Sequence, residues 1–160
     1  MLKVVLVHPE IPWNTGNVGR TCAAAGAQLH LVAPLGFALT ERRLRRAGLD
    51  YWERLAPVVH ASLEDFLAAL PADASVLAFS AEAERAHWGA PYRADSWLVF
   101  GPESRGLPES LRARWRAALY RVPMVPEARS LNLSTTAAIV LYEARRAIDG
   151  AHWDPGPTRA

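Results

Sequence analysis

The stretch LKVVLVHPEIPWNTGNVGRTCAAAGAQLHLVA, residues 2–33, decides the fold class. LKVVLV (2–7) is apolar apart from Lys3 and rich in β-branched residues, which predicts a strand buried on both faces. NTGNVGRTCAAA then reads as a turn leading into a helix over 14–25, with Gly26 placed to end it in the left-handed conformation. LHLVA (29–33) predicts the next strand. A strand, a glycine-bearing turn and an alanine-rich helix open many nucleotide-binding sites. Here, however, the glycines stand at Gly16, Gly19 and Gly26, and match neither G-x-G-x-x-G nor G-x-x-x-x-G-K-[ST]. Asn14, Asn17 and Arg20 occupy positions that such loops give to small or phosphate-cradling residues.

The rest of the chain continues the alternation. Strands are predicted at PVVH (57–60), SVLAFS (75–80), WLVFG (97–101) and ALYRVP (118–123), several of them apolar almost throughout. Between them, Thr40 is placed to cap ERRLRRA, which stops at Gly48. Ser62 with Asp65 opens LEDFLAAL in a capping-box-like pattern, and Pro108 suits the first turn of PESLRARW. A last helix over 133–148 stacks Leu133, Ala137, Val140, Leu141, Ala144 and Ile148 on one face. The pattern predicts an α/β fold, a mainly parallel sheet flanked by helices, with ligands gathering beyond the carboxyl ends of the strands. One domain over 1–150 is expected, followed by a loose Pro/Gly-rich tail, 151–160.

The 160 residues carry a formal net charge of only +2, so no basic tail or acidic tract dictates a partner. Lys3 is the only lysine, an arginine bias that genome composition produces as readily as phosphate binding does. Cys22 is the only cysteine, which excludes an intramolecular disulfide; within an alanine-rich helix it reads as a small core residue. His8, His30, His60, His87 and His152 lack metal-ligand spacing, so no metal is expected. With no run of roughly 18 apolar residues and no signal-like start, a cytoplasmic protein without a membrane partner is expected.

Three segments gather the chemistry, and each follows a predicted strand. NTGNVGR follows the first. FGPESRGLP (100–108) offers Glu103 and Arg105 between glycines that admit close backbone approach and prolines that stiffen the turn. RVPMVPEARSLNLSTTAA (121–138) holds an extended Pro-x-x-Pro run before Ser130, Asn132 and Ser134, any of which can cap the last helix. A cap does not explain Arg129.

Together these segments resemble the signature motifs of the SPOUT superfamily of RNA methyltransferases. Within it, the chain looks like the small bacterial enzymes that methylate the 2′-hydroxyl of the tRNA wobble ribose, cytidine or uridine 34. The resemblance runs from VLVHPEIPWNTGNVGRTCAAAGAQLHLVAPLGF through RRLRRAGLDYW, FGPESRGLP and RVPMVPEARSLNLS to LYEARR. It implies a C-terminal trefoil knot whose loops grip S-adenosylmethionine mainly through backbone, S-adenosylhomocysteine being the product. Carried over, the cofactor residues are Phe79, Gly101, Pro102, Glu103, Val122, Met124, Ser130, Leu131, Asn132 and Leu133. Near relatives often have Met at position 131 and Asn at 135; Leu131 keeps an apolar contact, while Thr135 alters a finer one.

The resemblance also makes Arg20 the catalytic arginine and Asn14 its partner, with Glu103 and Asn132 orienting Arg20 and the cofactor. Residues six apart do not share a helix face, so Asn14 is expected in a turn before a helix that starts near Thr15. The glycines of NTGNVGR are then expected to let the chain turn tightly beside the substrate. A guanidinium is a poor base, so Arg20 is read as lowering the pKa of the ribose hydroxyl and stabilising the forming alkoxide.

For RNA contact the candidates are Arg42, Arg43, Arg45 and Arg46 in ERRLRRAGLDYW, with Arg129, and Tyr51 or Trp52 as stacking aromatics. The bland alternative is a solvated helix face followed by core aromatics. Arg112, Arg114, Arg116 and the pair His87–Trp88 are weaker candidates. The family resemblance further implies a homodimer on the tRNA anticodon loop, with the first helix and the apolar face of the last as the expected interface. Rival readings are methylation at another RNA site, a nonenzymatic RNA-binding or assembly factor, and a doubly wound nucleotide-binding domain without a knot.

Overall fold

The computed structural model describes residues 1–38, 52–150, 153 and 156, apart from the side chains of Glu53 and Arg54. In chain order the elements are β1 (Lys3–Val7), α1 (Pro12–Ala25), β2 (Gln28–Val32), α2 (Trp52–Leu55), β3 (Val58–His60) and α3 (Leu63–Ala69). Then follow β4 (Val76–Phe79), β5 (Trp97–Phe100), α4 (Glu109–Arg114), β6 (Leu119–Tyr120) and α5 (Leu133–Asp149). The strands form one sheet in the order β3-β2-β1-β5-β4-β6, and every pairing is parallel.

Successive residues of a strand point to opposite faces, and here different helices cover the two faces. On one, Val4, Leu6, Leu29, Leu31, Leu98 and Phe100 pack with Val18, Cys22 and Ala25 of α1 and with Leu133, Ala137, Val140, Leu141 and Ala144 of α5. On the other, Val5, Val7, Val32 and Val99 pack with Phe66 of α3 and with Leu107 and Leu111 at α4. Two apolar faces per strand explain why the strands read as unbroken apolar runs.

The structure agrees with several expected helix ends. The hydroxyl of Ser62 accepts the N–H of Asp65 at 3.0 Å to cap α3. Among the three candidates for α5, Asn132 is the cap: its Oδ1 accepts the N–H groups of Ser134 at 2.8 Å and Thr135 at 3.4 Å. Gly26 ends α1 at φ +61°, as a left-handed C-cap.

Other features correct the sequence reading. α1 starts at Pro12, so Asn14 lies inside its first turn, not before the helix. Proline suits the first helical position because its missing N–H would have had no intrahelical acceptor. Gly16 and Gly19 therefore sit within the helix and make no turn beside a substrate. A Cβ on Gly19 would press on Trp52 and Leu55 at 3.0 Å, so this glycine lets α2 approach α1. Trp52 is half-buried against the core, which favours the core reading of that aromatic.

The apolar face of α5 is consumed inside the chain, and Ile139 and Tyr142 are exposed instead. β6 is short because past it only Ala86 and Arg121 bridge, and prolines soon remove donors from the ladder. In the tail, Trp153 packs edge-on against Tyr142 with ring centroids 5.8 Å apart. The helix expected after Thr40, with Arg42, Arg43, Arg45, Arg46 and Tyr51, lies outside the described residues.

Candidate active site

From β1 the chain continues outward to β2 and β3, whereas β5, β4 and β6 fill the sheet on the opposite side of β1. Such a reversal of strand order leaves a crevice at the carboxyl ends, because the connections diverge to either side. A cleft of about 420 Å³ opens there. Phe79 to Glu82 line it from the end of β4, residues 100–107 from β5, and Val122 and Met124 from β6. Ile11 just before α1, Asn14 within it, and Ser130 to Leu133 with Thr136 at the start of α5 complete the wall.

A chain of side-chain amides ties three of these segments together. Glu103 accepts the Asn14 Nδ2–H at 3.0 Å through Oε1. Asn14 in turn accepts the Asn132 Nδ2–H through Oδ1 at 2.8 Å, and Asn132 caps α5. Asn14 is buried, so its two partners replace water that it has lost. Glu103 also accepts the backbone N–H of Glu10 at 2.8 Å and of Ile11 at 3.1 Å. The first turn of α1 contains no acidic residue of its own. The carboxylate of Glu103 supplies the negative group that the positive end of the helix dipole favours.

The β5 loop is tightly folded. A Cβ on Gly101 would overlap the Gly106–Leu107 peptide, so only glycine fits there. Gly106 has φ +66°, the left-handed conformation that glycine adopts without penalty. Beside the loop, Arg112 of α4 pairs with Glu82, which lines the cleft after β4. Arg112 thus has an internal partner where an RNA contact was weighed.

All ten residues carried over as cofactor-binding meet in this one cleft, and Asn14 with them. Arg20 does not line it. Six residues beyond Asn14 on the same helix, it projects roughly 120° around the axis and is exposed. Arg129 is exposed and also outside the cleft wall. Ile11, Ser80, Ala81, Glu82, Ser104 and Thr136 also line the cleft but were not singled out from the sequence, although Ser104 and Thr136 fall inside the segments 100–108 and 121–138. Glu10 was missed as well; it stands in the loop between β1, which ends at Val7, and α1. Its carboxylate accepts the Ser104 N–H at 2.9 Å and the Ser104 hydroxyl at 2.7 Å. Those bonds, the hydroxyl's first, hold the Glu10 carboxyl below its usual pKa, and Arg105 adds to the effect. Among the described residues no group of three or more His, Cys, Asp or Glu is placed to hold a metal ion.

Comparison with known proteins bears on what such a cleft holds. The model of the SpoU rRNA Methylase family matches residues 1–142. A curated tRNA (cytidine(34)-2′-O)-methyltransferase of Burkholderia cenocepacia is 49% identical over 148 residues, covering 91% of this chain and 95% of that protein. A solved structure described as giving structural insights into the 2-OH methylation of C/U34 on tRNA is 50% identical. It superposes with a TM-score of 0.86 over 91% of this chain and 95% of the other. An AdoMet-bound rRNA methyltransferase of Sinorhizobium meliloti is 32% identical with a TM-score of 0.75, over 91% of this chain and 56% of that one.

Proposed function

The chain belongs to the SpoU rRNA methylase family, and on that premise we propose that it methylates the 2′-hydroxyl of the wobble ribose of tRNA, cytidine or uridine 34, using S-adenosylmethionine. The observation that carries this reading is the convergence of three strand-end segments on one cleft through Asn14, which bonds to Glu103, 89 residues away, and to Asn132, 118 residues away.

The cleft suits the cofactor. Phe79, Val122, Met124, Leu131 and Leu133 offer an apolar surface for a purine, and the backbone of 101–106 and 130–132 offers polar groups. Its volume lies within the range of small-ligand sites, roughly 300–1,000 Å³. When bound, the cofactor supplies a methyl group already activated on a sulfonium sulfur, so the protein's task is alignment. Glu103, Asn14 and Asn132 hold the start of α1 against the cleft wall, and Arg20 lowers the pKa of the ribose hydroxyl and stabilises the alkoxide as it forms.

Arg20 stands outside the cleft of its own chain, which suits a homodimer in which the arginine of one chain serves the cofactor of the other. Arg129 and the arginines at 42, 43, 45 and 46 are the proposed contacts to the anticodon loop. The proposed knot threads 121–132 past the 80–87 segment. Its exit from β6 is held by backbone bonds from Ser80 to Tyr120 at 2.9 Å and from His87 to Arg121 at 2.8 Å. A cytoplasmic location and one domain over 1–150 complete the reading; no described helix is long and apolar enough to cross a membrane.

Incubation with bulk tRNA and labelled S-adenosylmethionine, followed by nucleoside mapping, tests the proposal. 2′-O-methylcytidine or 2′-O-methyluridine at position 34 is the expected product. Methylation at another site favours the rival RNA target, and no transfer favours a nonenzymatic binding factor. A monomer at micromolar concentration in sedimentation would count against the dimer.

A further inference from the structure

Two glutamates exchange hydrogen bonds at the edge of the cleft. Glu103, in the loop after β5, accepts the backbone N–H of Glu10, and Glu10, in the loop after β1, accepts the backbone N–H and the hydroxyl of Ser104. Each carboxylate therefore binds the other's stretch of main chain, across 93 residues of sequence. Glu103 belongs to the amide chain already described, whereas Glu10 does not line the cleft.

The Glu10 backbone is fixed from behind. The Gly36 N–H donates to the Pro9 carbonyl at 2.9 Å, and a Cβ on Gly36 would stand 2.8 Å from the Glu10 Cα. This backbone cannot easily follow a shift of the loop after β5. Ser104 itself lies between Gly101 and Gly106, and a Cβ on Gly101 would run into the Gly106–Leu107 backbone. Any displacement of Ser104 is thus passed to the whole of 101–107, and every residue of that segment lines the cleft.

We propose that Glu10 is a positioning residue for the cofactor, which holds the 101–107 loop in its cleft-lining shape by occupying both donors of Ser104. This rests on reading the cleft as the cofactor site. Glutamine in its place keeps the geometry, since its amide oxygen accepts the Ser104 N–H and its amide hydrogens can donate to the Ser104 hydroxyl.

The test is calorimetric titration of the full chain with S-adenosylhomocysteine. Glu10→Ala should bind roughly tenfold more weakly than the parent, the order of change that follows loss of positioned, charge-assisted hydrogen bonds. Glu10→Gln should recover most of the affinity. In turnover with tRNA, the KM for S-adenosylmethionine should rise by a similar factor while kcat stays within about twofold, because the loop shapes the binding site and leaves Arg20 in place. Should Glu10→Ala fail to fold, Ser104→Ala carries the test through a smaller loss of the same kind. Unchanged affinity in the variants overturns the proposal, and so does a Glu10→Gln protein as weak as Glu10→Ala. A parent chain that binds no S-adenosylhomocysteine overturns the cofactor reading itself, and this inference with it.

Discussion

Asn14 and Arg20 share a helix but face different tasks. Asn14 points inward, accepting from Asn132 and donating to Glu103. Arg20 lies exposed on another face of α1 and does not line the cleft. Replacing Arg20 with alanine is therefore expected to abolish methyl transfer while leaving calorimetric binding of S-adenosylhomocysteine near the parent value. Retained turnover would remove Arg20 from the mechanism. Gly101 works by what it lacks. Gly101→Ala forces a methyl group into the Gly106–Leu107 peptide, so the loop must open. A loss of about 1–3 kcal/mol in denaturant unfolding, as for other overpacked sites, should come with a loss of cofactor binding. An alanine variant as stable and as active as the parent would show that the loop has slack.

At the scale of elements, the two helices that frame the cleft are completed by groups from elsewhere in the chain. α1 has no side-chain cap of its own and takes the Glu103 carboxylate at its start. At its other end Arg145 of α5 donates to the carbonyls of Ala25 at 2.7 Å and Gly26 at 2.9 Å. α5 begins with Asn132, which caps the helix and donates to Asn14 with the same amide. Asn132→Ala should cost about 1 kcal/mol through the cap alone, and more if the bond to Asn14 contributes. Asn132→Asp keeps an acceptor for the helix N–H groups but loses the donor to Asn14. A chemical denaturation series over the parent and both variants separates the two roles. Equal stability of Asn132→Asp and the parent would mean that the Asn14 bond contributes little.

Across the whole molecule, the face of the sheet away from the cleft helices carries a pH-sensitive cluster. His30 lies buried beside Trp97, with His60 stacked on it and Lys3 and Gln28 nearby. Burial, followed by the charges of His60 and Lys3, pushes the His30 pKa from the usual 6.5 down to about 4. Between those values the unfolded chain binds a proton that the folded chain refuses, so stability falls as pH drops from about 6.5 towards 4. Thermal melts across that window should show the decline, and His30→Leu should make it shallower. An identical slope in the variant would mean that other groups dominate the acid response.

Much of the architecture was legible in the sequence. Strands buried on both faces must be apolar at nearly every position, so LKVVLV, SVLAFS and WLVFG announced a covered parallel sheet before any pairing was known. Residues 100–108 and 121–134 stood out by glycine and proline at strand ends, but their reading as ligand segments came from the family resemblance, since a plain connection explains the first as readily. The beginning of α1 was only partly legible: Pro12 is a local start signal that was passed over, but the group that completes the helix end is not local. Its negative group comes from Glu103, some 90 residues away, and a local capping rule sees only neighbours. The role of Gly19 was hidden for the same reason, since Trp52 and Leu55 give the glycine its purpose.

By itself, then, the sequence determined the secondary-structure alternation, the sheet class and the family motifs, all of which rest on local pattern. Tertiary structure alone decided that Asn14 bridges Glu103 and Asn132, that Glu10 clasps Ser104, and that Arg20 is exposed and does not line its own cleft. Those relations depend on which loops the parallel crossovers bring to one end of the sheet, and on which face a helix turns once its first residue is set.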